Sequence, residues 1–136
     1  MFPMLSVSHY AISTKSTVNF LFNLHMTTKD IGSKGEDTTL RFLQERGFEL
    51  LERNYRYKRN EIDLIVRKDD LICFVEVKKR KSQKFGYPES FVSEGQKERI
   101  HQAAENFIIE RQWEDKIRFD ISAVTGDHVD YFEDAF

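Results

Sequence analysis

The chain has 136 residues, of which 40% are hydrophobic, enough for one domain with a single core and too few for a second of ordinary size. A formal net charge of -2 excludes a global basic field, so a nucleic-acid partner would have to be held by local charge. The single cysteine, Cys73, excludes an internal disulfide framework, and His9, His25, His101 and His128 are too scattered for a zinc cluster, so a reducing cytosol is the expected compartment.

Residues 1–25 are rich in Ser, Thr and Phe, contain no acidic residue and show no regular period. Lys15 interrupts the apolar run and 18–24 is too short to cross a bilayer, so neither a secretory signal nor a membrane span is expected. Met26 would serve as a start. The expectation is a poorly ordered extension over 1–25, arising from an upstream start codon, followed by a domain over 26–136. Ser33 and Glu36 have capping-box spacing, Leu40 and Leu43 supply an apolar face and Gly47 stands at a helix stop, which predicts a helix over 34–46. Glu36 serves the cap, and its place in the first turn also lets it lean toward the sheet that follows.

The segment 48–57 reads as a strand whose exit is formed by Asn54, Arg56, Lys58 and Arg59. Two runs, 60–66 and 71–80, then alternate apolar and polar residues around the charged turn Arg67, Lys68, Asp69 and Asp70, the pattern of a β-hairpin. In the first, Glu61, Asp63 and Ile65 are expected on the face opposite Ile62, Leu64 and Val66. In the second, Glu76 and Lys78 share a face, roughly 7 Å apart along the strand. Hairpin pairing brings Asp63 near Glu76, so two carboxylates and a lysine converge on a sheet that Val66, Ile72, Phe74, Val75 and Val77 mark as mostly buried. Like charges in such a place repel unless one takes up a proton or they share a cation. The plain alternative is that Lys78 neutralises Glu76 or Asp63 as a structural ion pair. Cys73 reads as a small core residue.

Arg53, Arg56, Lys58, Arg59, Arg67, Lys68, Lys78, Lys79, Arg80, Lys81 and Lys84 crowd around the hairpin, whereas the acidic excess lies in the last third of the chain. The polar stretch 81–88, with Gly86 and Pro88, reads as a loop that leaves Lys79, Arg80, Lys81 and Lys84 beside the carboxylates. A phosphate backbone would be attracted there, although lysines at a strand end also serve merely to keep a sheet edge soluble. Ile100, Ala103, Ala104, Phe107 and Ile108 recur at helical spacing and predict a helix over 93–111. A strand over 117–123 follows, and Gly126 and Asp127 turn the chain into a short strand at 128–132; Asp120 reads as structural. The order α-β-β-β-α-β-β makes an α/β domain, a mixed β-sheet flanked by helices.

An Asp, a gap and then Glu-x-Lys on the next strand resembles the carboxylate pattern of metal-dependent phosphodiester nucleases with the PD-(D/E)xK, or restriction-endonuclease-like, fold. The matching set is wider: Gly35 and Glu36; Asn54, Tyr55 and Arg56; Glu61, Ile62, Asp63, Leu64 and Ile65; Phe74, Val75, Glu76, Val77 and Lys78 with Arg80; Phe85 and Gly86; Ala103 and Ala104; Arg118, Phe119 and Asp120; Asp134, Ala135 and Phe136. On these residues 32–136 resembles the YraN-type family of small bacterial proteins, whose restriction-endonuclease-like fold is similar to archaeal Holliday-junction resolvases.

The resemblance implies Glu36, Asp63, Glu76 and Lys78 as catalytic residues, with Glu61 beside them. It implies Asp63, Glu76 and Glu36 as ligands of Mg²⁺ or Mn²⁺, helped by the Val77 carbonyl. Arg56, Arg59, Lys79, Arg80, Lys81 and Lys84 are then the expected nucleic-acid contacts. The implied activity is endonucleolytic hydrolysis of phosphodiester bonds in DNA, structured or branched DNA included, with no membrane partner and with a homodimer left open. Three positions depart from the family pattern: Asn60 stands for a glycine, Thr39 for an alanine and Gln96 for a basic residue at the start of the long helix. Two other readings remain open, an inactive nucleic-acid-binding module and a protein-interaction domain whose charges only keep it soluble.

Overall fold

Period-two and helical patterns become one sheet with a helix on each face. The computed structural model describes residues 34–82 and 91–136, and in it the elements run α1 (Lys34–Gln44), β1 (Glu49–Tyr57), β2 (Asn60–Lys68), β3 (Leu71–Lys79), α2 (Glu94–Glu110), β4 (Lys116–Thr125) and β5 (His128–Phe132). The expectations for 1–25, for the Ser33 cap and for Lys84, Phe85 and Gly86 lie outside the described residues. Strand order is β1-β2-β3-β4-β5, antiparallel throughout except for the parallel pair β3 and β4, which α2 connects. This is the mixed α/β architecture expected of a restriction-endonuclease-like fold.

Helix α1 stops two residues before the predicted end. The Gly47 N–H bonds the Gln44 carbonyl at 3.0 Å and the Phe48 N–H reaches back to Leu43 at 3.1 Å, a Schellman closure that needs the positive φ of 92° at Gly47. Leu43 packs with Leu64, Val66, Cys73 and Val75 on one face of the sheet. On the other, Ile100, Ala103, Ala104 and Phe107 of α2 cover Ile65, Ile72, Phe74 and Ile121. Cys73 is fully buried and free; burial, with the Asp120 charge beside it, pushes its thiol up to about 12 and leaves it a core residue as expected.

The alternation predicted for β2 breaks at one point. Ile62 packs on the α2 side with Ile65 and Tyr55, not with Leu64 and Val66, so the faces expected for Ile62 and Ile65 are not opposite. The cause sits across the ladder: Asn54 adopts a φ of 54°, and the paired positions run Arg53↔Leu64 and Tyr55↔Ile62, passing over Asn54 and Asp63. Asn54 is therefore a kink within β1 and not its exit. Asparagine tolerates the left-handed region better than other side chains, and a local irregularity of this sort re-aims the residue opposite it.

Three of the buried polar side chains, Thr39, Ser122 and Asp120, are paired. The Thr39 and Ser122 hydroxyls meet at 2.7 Å between α1 and β4, which accounts for a threonine where an alanine was expected. Asp120, with 0% exposure, receives the Arg118 guanidinium at 2.9 and 3.0 Å, the Tyr131 hydroxyl at 2.6 Å and the Asp134 N–H at 2.9 Å. Burial and the Asp120 charge together push the Tyr131 phenol well above its ordinary value, so it stays a donor. Removing the carboxylate would strand a guanidinium, a hydroxyl and an N–H. We expect Asp120→Ala to lower unfolding free energy by about 3–5 kcal/mol in urea titrations, and a loss under about 1 kcal/mol would refute the structural role.

Candidate functional site

One end of the sheet gathers the charge. β2 begins there, β3 and β4 end there, and both helices start there. The β2–β3 ladder has its last pair at Leu64↔Val75; one step further, the Val77 N–H donates to Asp63 Oδ2 at 2.8 Å, a side chain standing in for a backbone acceptor. Continuing the register sets Asp63 against Glu76, as the hairpin argument requires, and the Glu76 charge acts on the Asp63 carboxyl. Glu76 is only 8% exposed. Lys78 shares its face, with Nζ 3.4 Å from Glu76 Oε2.

Glu36 enters from the first turn of α1. Gly35 makes this approach possible, since a Cβ there would stand 3.0 Å from Lys79 Cγ and 3.3 Å from Val77 Cγ1. The Glu36 charge reaches Asp63, but its Oε1 is 3.2 Å from Arg53 Nε, and the same guanidinium holds Asp37 at 2.7 Å. Among the described residues no three His, Cys, Asp or Glu side chains converge as a ready metal cage. The structure thus brings Asp63, Glu76 and Lys78 together, with Glu36 close by and tied to Arg53. Glu61 lies apart from them in its bonding, paired with Arg56 at 3.2 Å.

Burial is the main reason the Asp63 carboxyl is pushed up to about 8; the Glu76 charge adds to it and the Val77 N–H opposes it. Burial also raises Glu76, and Lys78, Asp63 and Gln96 counter it. Both carboxyls are thus shifted upward, Asp63 with the fewer opposing partners, so the apo pair favours holding a proton between them. With that proton displaced, the two carboxylates offer hard oxygen donors of the kind that suits a divalent cation such as Mg²⁺, which is commonly held by one or two protein carboxylates together with substrate phosphates.

The expected phosphate contacts divide. Arg59 sits in the exposed β1–β2 turn, and Lys79 and Lys81 are exposed at the β3 exit on the same end of the sheet. Arg80 stacks on the Phe91 ring at 4.6 Å, while Arg56 is engaged by Glu61. Three contributors escaped the sequence reading. Asn54 was counted in the strand exit and in the family pattern, while its kink opposite Asp63 was not foreseen. Arg53 was counted only as local charge. Gln96 was noted as a departure, yet its Nε2 donates to Glu76 Oε2 at 2.8 Å; the Ser93 to Gln96 spacing, which fixes the first turn of α2, was the available clue.

The profile of a family described as "Uncharacterised protein family UPF0102" matches residues 35–124. A UPF0102 protein of Dictyoglomus turgidum is 47% identical over 100 residues, covering 73% of this chain and 85% of the relative. One of Cytophaga hutchinsonii is 39% identical over 98 residues, with coverages of 72% and 87%. Another, of Fusobacterium nucleatum, is 38% identical over 109 residues, with coverages of 79% and 92%.

The shifted carboxyl sets a pH dependence. Folded Asp63 keeps its proton up to about 8, whereas the unfolded chain releases it near the ordinary 3.8. Between those values the folded state binds more protons, so stability must fall as pH rises through the window. Melting in EDTA from about pH 5 to about pH 8.5 should decline steadily. Asp63→Asn, which keeps an oxygen for the Val77 N–H, should flatten the decline and melt above wild type at the alkaline end. An equal slope in the variant would assign the effect to another group.

Proposed function

The chain belongs to the UPF0102 family, uncharacterised in its activity, and from that premise we propose that it is a Mg²⁺- or Mn²⁺-dependent endonuclease-like hydrolase of phosphodiester bonds in DNA, structured or branched DNA included. The observation that carries the reading is the Asp63 and Glu76 pair, two carboxyls pressed together at the sheet end with one lysine beside them. A structural ion pair needs one acid and one base; the second acid is surplus unless a cation uses it.

Asp63 and Glu76 would hold the ion, with Glu36 joining if it leaves Arg53. When bound, the ion supplies Lewis acidity toward the scissile phosphate and acidifies water. Lys78 holds a compact positive charge where phosphoryl oxygens gain negative charge, and it orients a water nucleophile. The proton held by the metal-free pair would leave as both carboxylates turn to the ion. Lys79, Lys81 and Arg59 offer positive charge to the backbone on the same end of the sheet, and Arg56, Arg80 and Lys84 complete the proposed contact set. Among the described residues no helix is long and apolar enough to cross a membrane, and the one buried thiol suits a reducing cytoplasm. A second reading, an inactive nucleic-acid-binding module, draws on the Arg53 clamp that keeps Glu36 from the pair.

Two measurements test the proposal. For a site of affinity about 1 mM, adding about 10 mM Mg²⁺ should stabilise the protein by about 1.4 kcal/mol, or roughly 4 to 6 °C in Tm. Glu76→Gln should melt higher than wild type without metal and lose most of that response; equal shifts in both at matched ionic strength would defeat the metal site. In a screen of linear, flapped and four-way DNA with Mg²⁺ or Mn²⁺, Asp63→Ala and Glu76→Ala should abolish cleavage, and Lys78→Ala should reduce it severely while DNA binding persists. Metal-dependent cleavage by purified Glu76→Ala protein would sink the assignment.

A further inference from the structure

We propose that Gln96 is a positioning residue of this site, its side-chain amide holding the Lys78 ammonium against the Glu76 carboxylate. The inference rests on the reading of Asp63, Glu76 and Lys78 as a nuclease-like centre and adds to it a residue outside the expected motif. Gln96 Nε2 donates to Glu76 Oε2 at 2.8 Å, the oxygen that lies 3.4 Å from Lys78 Nζ, and Gln96 Oε1 faces that same Nζ at 3.5 Å. Three groups close a ring. The orientation of the amide follows from charge: turned over, it would set its oxygen against the carboxylate and its NH₂ against the ammonium, repulsive at both ends.

The side chain springs from a fixed origin. The Gln96 N–H donates to the Ser93 hydroxyl at 3.2 Å, capping α2, and the helix is seated on the sheet through Ile100, Ala103, Ala104 and Phe107. At this spacing a glutamine ordinarily turns its oxygen back to the N–H of the capping residue; here that oxygen faces Lys78. Lys78 ends a flexible four-carbon stem with three equivalent donors, so a carboxylate alone fixes its distance but not its direction. A second contact from another element fixes both. Neutrality matters as well. A lysine at 96 would repel Lys78 and compete with a cation for Glu76, and a glutamate would add another negative charge to a crowded pair. The amide orders both ions and leaves their charges unspent.

The test compares Gln96→Met, which keeps length and helical propensity and removes both polar atoms, with Gln96→Glu, which keeps an oxygen toward Lys78. In ¹⁵N-labelled full-length protein, the side-chain amine signal of Lys78, identified by its loss in Lys78→Arg, should be protected from exchange in wild type. Gln96→Met should lose that protection and Gln96→Glu keep it, with both variants melting within about 5 °C of wild type. On any DNA that the wild type cleaves, Gln96→Met should lower kcat about 10- to 100-fold with KM within about twofold. An unchanged Lys78 signal in folded Gln96→Met, or a lost one in folded Gln96→Glu, overturns the proposal. Absence of cleavage by wild type on every DNA tried counts against the nuclease reading alone, because the amine spectra judge the positioning role independently.

Discussion

The sheet end depends on one substitution of partners, in which the Val77 N–H is satisfied by the Asp63 carboxylate and not by a strand carbonyl. An N–H that loses its acceptor in a buried place costs on the order of 1–3 kcal/mol, so the carboxylate is held there by the backbone as much as by its own side chain. Once Asp63 is fixed, the hairpin register sets Glu76 opposite it, and the two cannot move apart without breaking the ladder that begins one residue away. Lys78, Gln96 and the starts of both helices then surround a pair the backbone has already fixed. A helix start carries partial positive charge, which lowers the cost of keeping one of the two acids ionised.

A second buried carboxylate in the same sheet supplies the contrast. Asp120 is more deeply buried than Asp63, yet it accepts from a bidentate guanidinium, a phenol and a backbone N–H. Its charge is fully answered, and the result ties β4, β5 and the chain end together, with the Ala135 N–H on the Phe119 carbonyl at 2.7 Å. Asp63 accepts from one N–H and faces another acid. Depth alone does not set how a buried carboxylate is balanced; the count of donors against nearby negative charge separates Asp120 from Asp63.

That difference governed how much could be read in advance. The element order, the two hairpin turns, the Gly47 stop and the convergence of Asp63, Glu76 and Lys78 follow from period, turn chemistry and register, all local properties that sequence records. The Asp120 residue could be judged structural, but its partners Tyr131 and Asp134 come from a strand and a chain end whose placement depends on packing. The kink at Asn54 defeated strict alternation in β2, because a positive φ is permitted by asparagine without being demanded by it. Gln96 was visible as a substitution, while its amide's destination depended on where α2 crosses the sheet. The pairing of Arg53 with Glu36 and Asp37 likewise joins a strand to a helix that only tertiary packing brings together.

Charge separation completes the physical picture. A net charge of -2 conceals two regions of opposite character. Lys79, Lys81 and Arg59 stand at the end of the sheet that holds the carboxyl pair, whereas the outward side of α2 exposes Glu94, Glu98, Glu105 and Glu110. Under the nuclease reading, a phosphate backbone is drawn to the β3 exit and turned away from the outer face of α2. It would therefore meet Asp63 and Glu76 from the side where Lys78 stands, with the lysine between the incoming phosphate and the acids. That order of charges, cation outward and carboxylates behind it, is the one in which a bound divalent ion and Lys78 reinforce each other toward the phosphate, and it requires the lysine direction that Gln96 is placed to set.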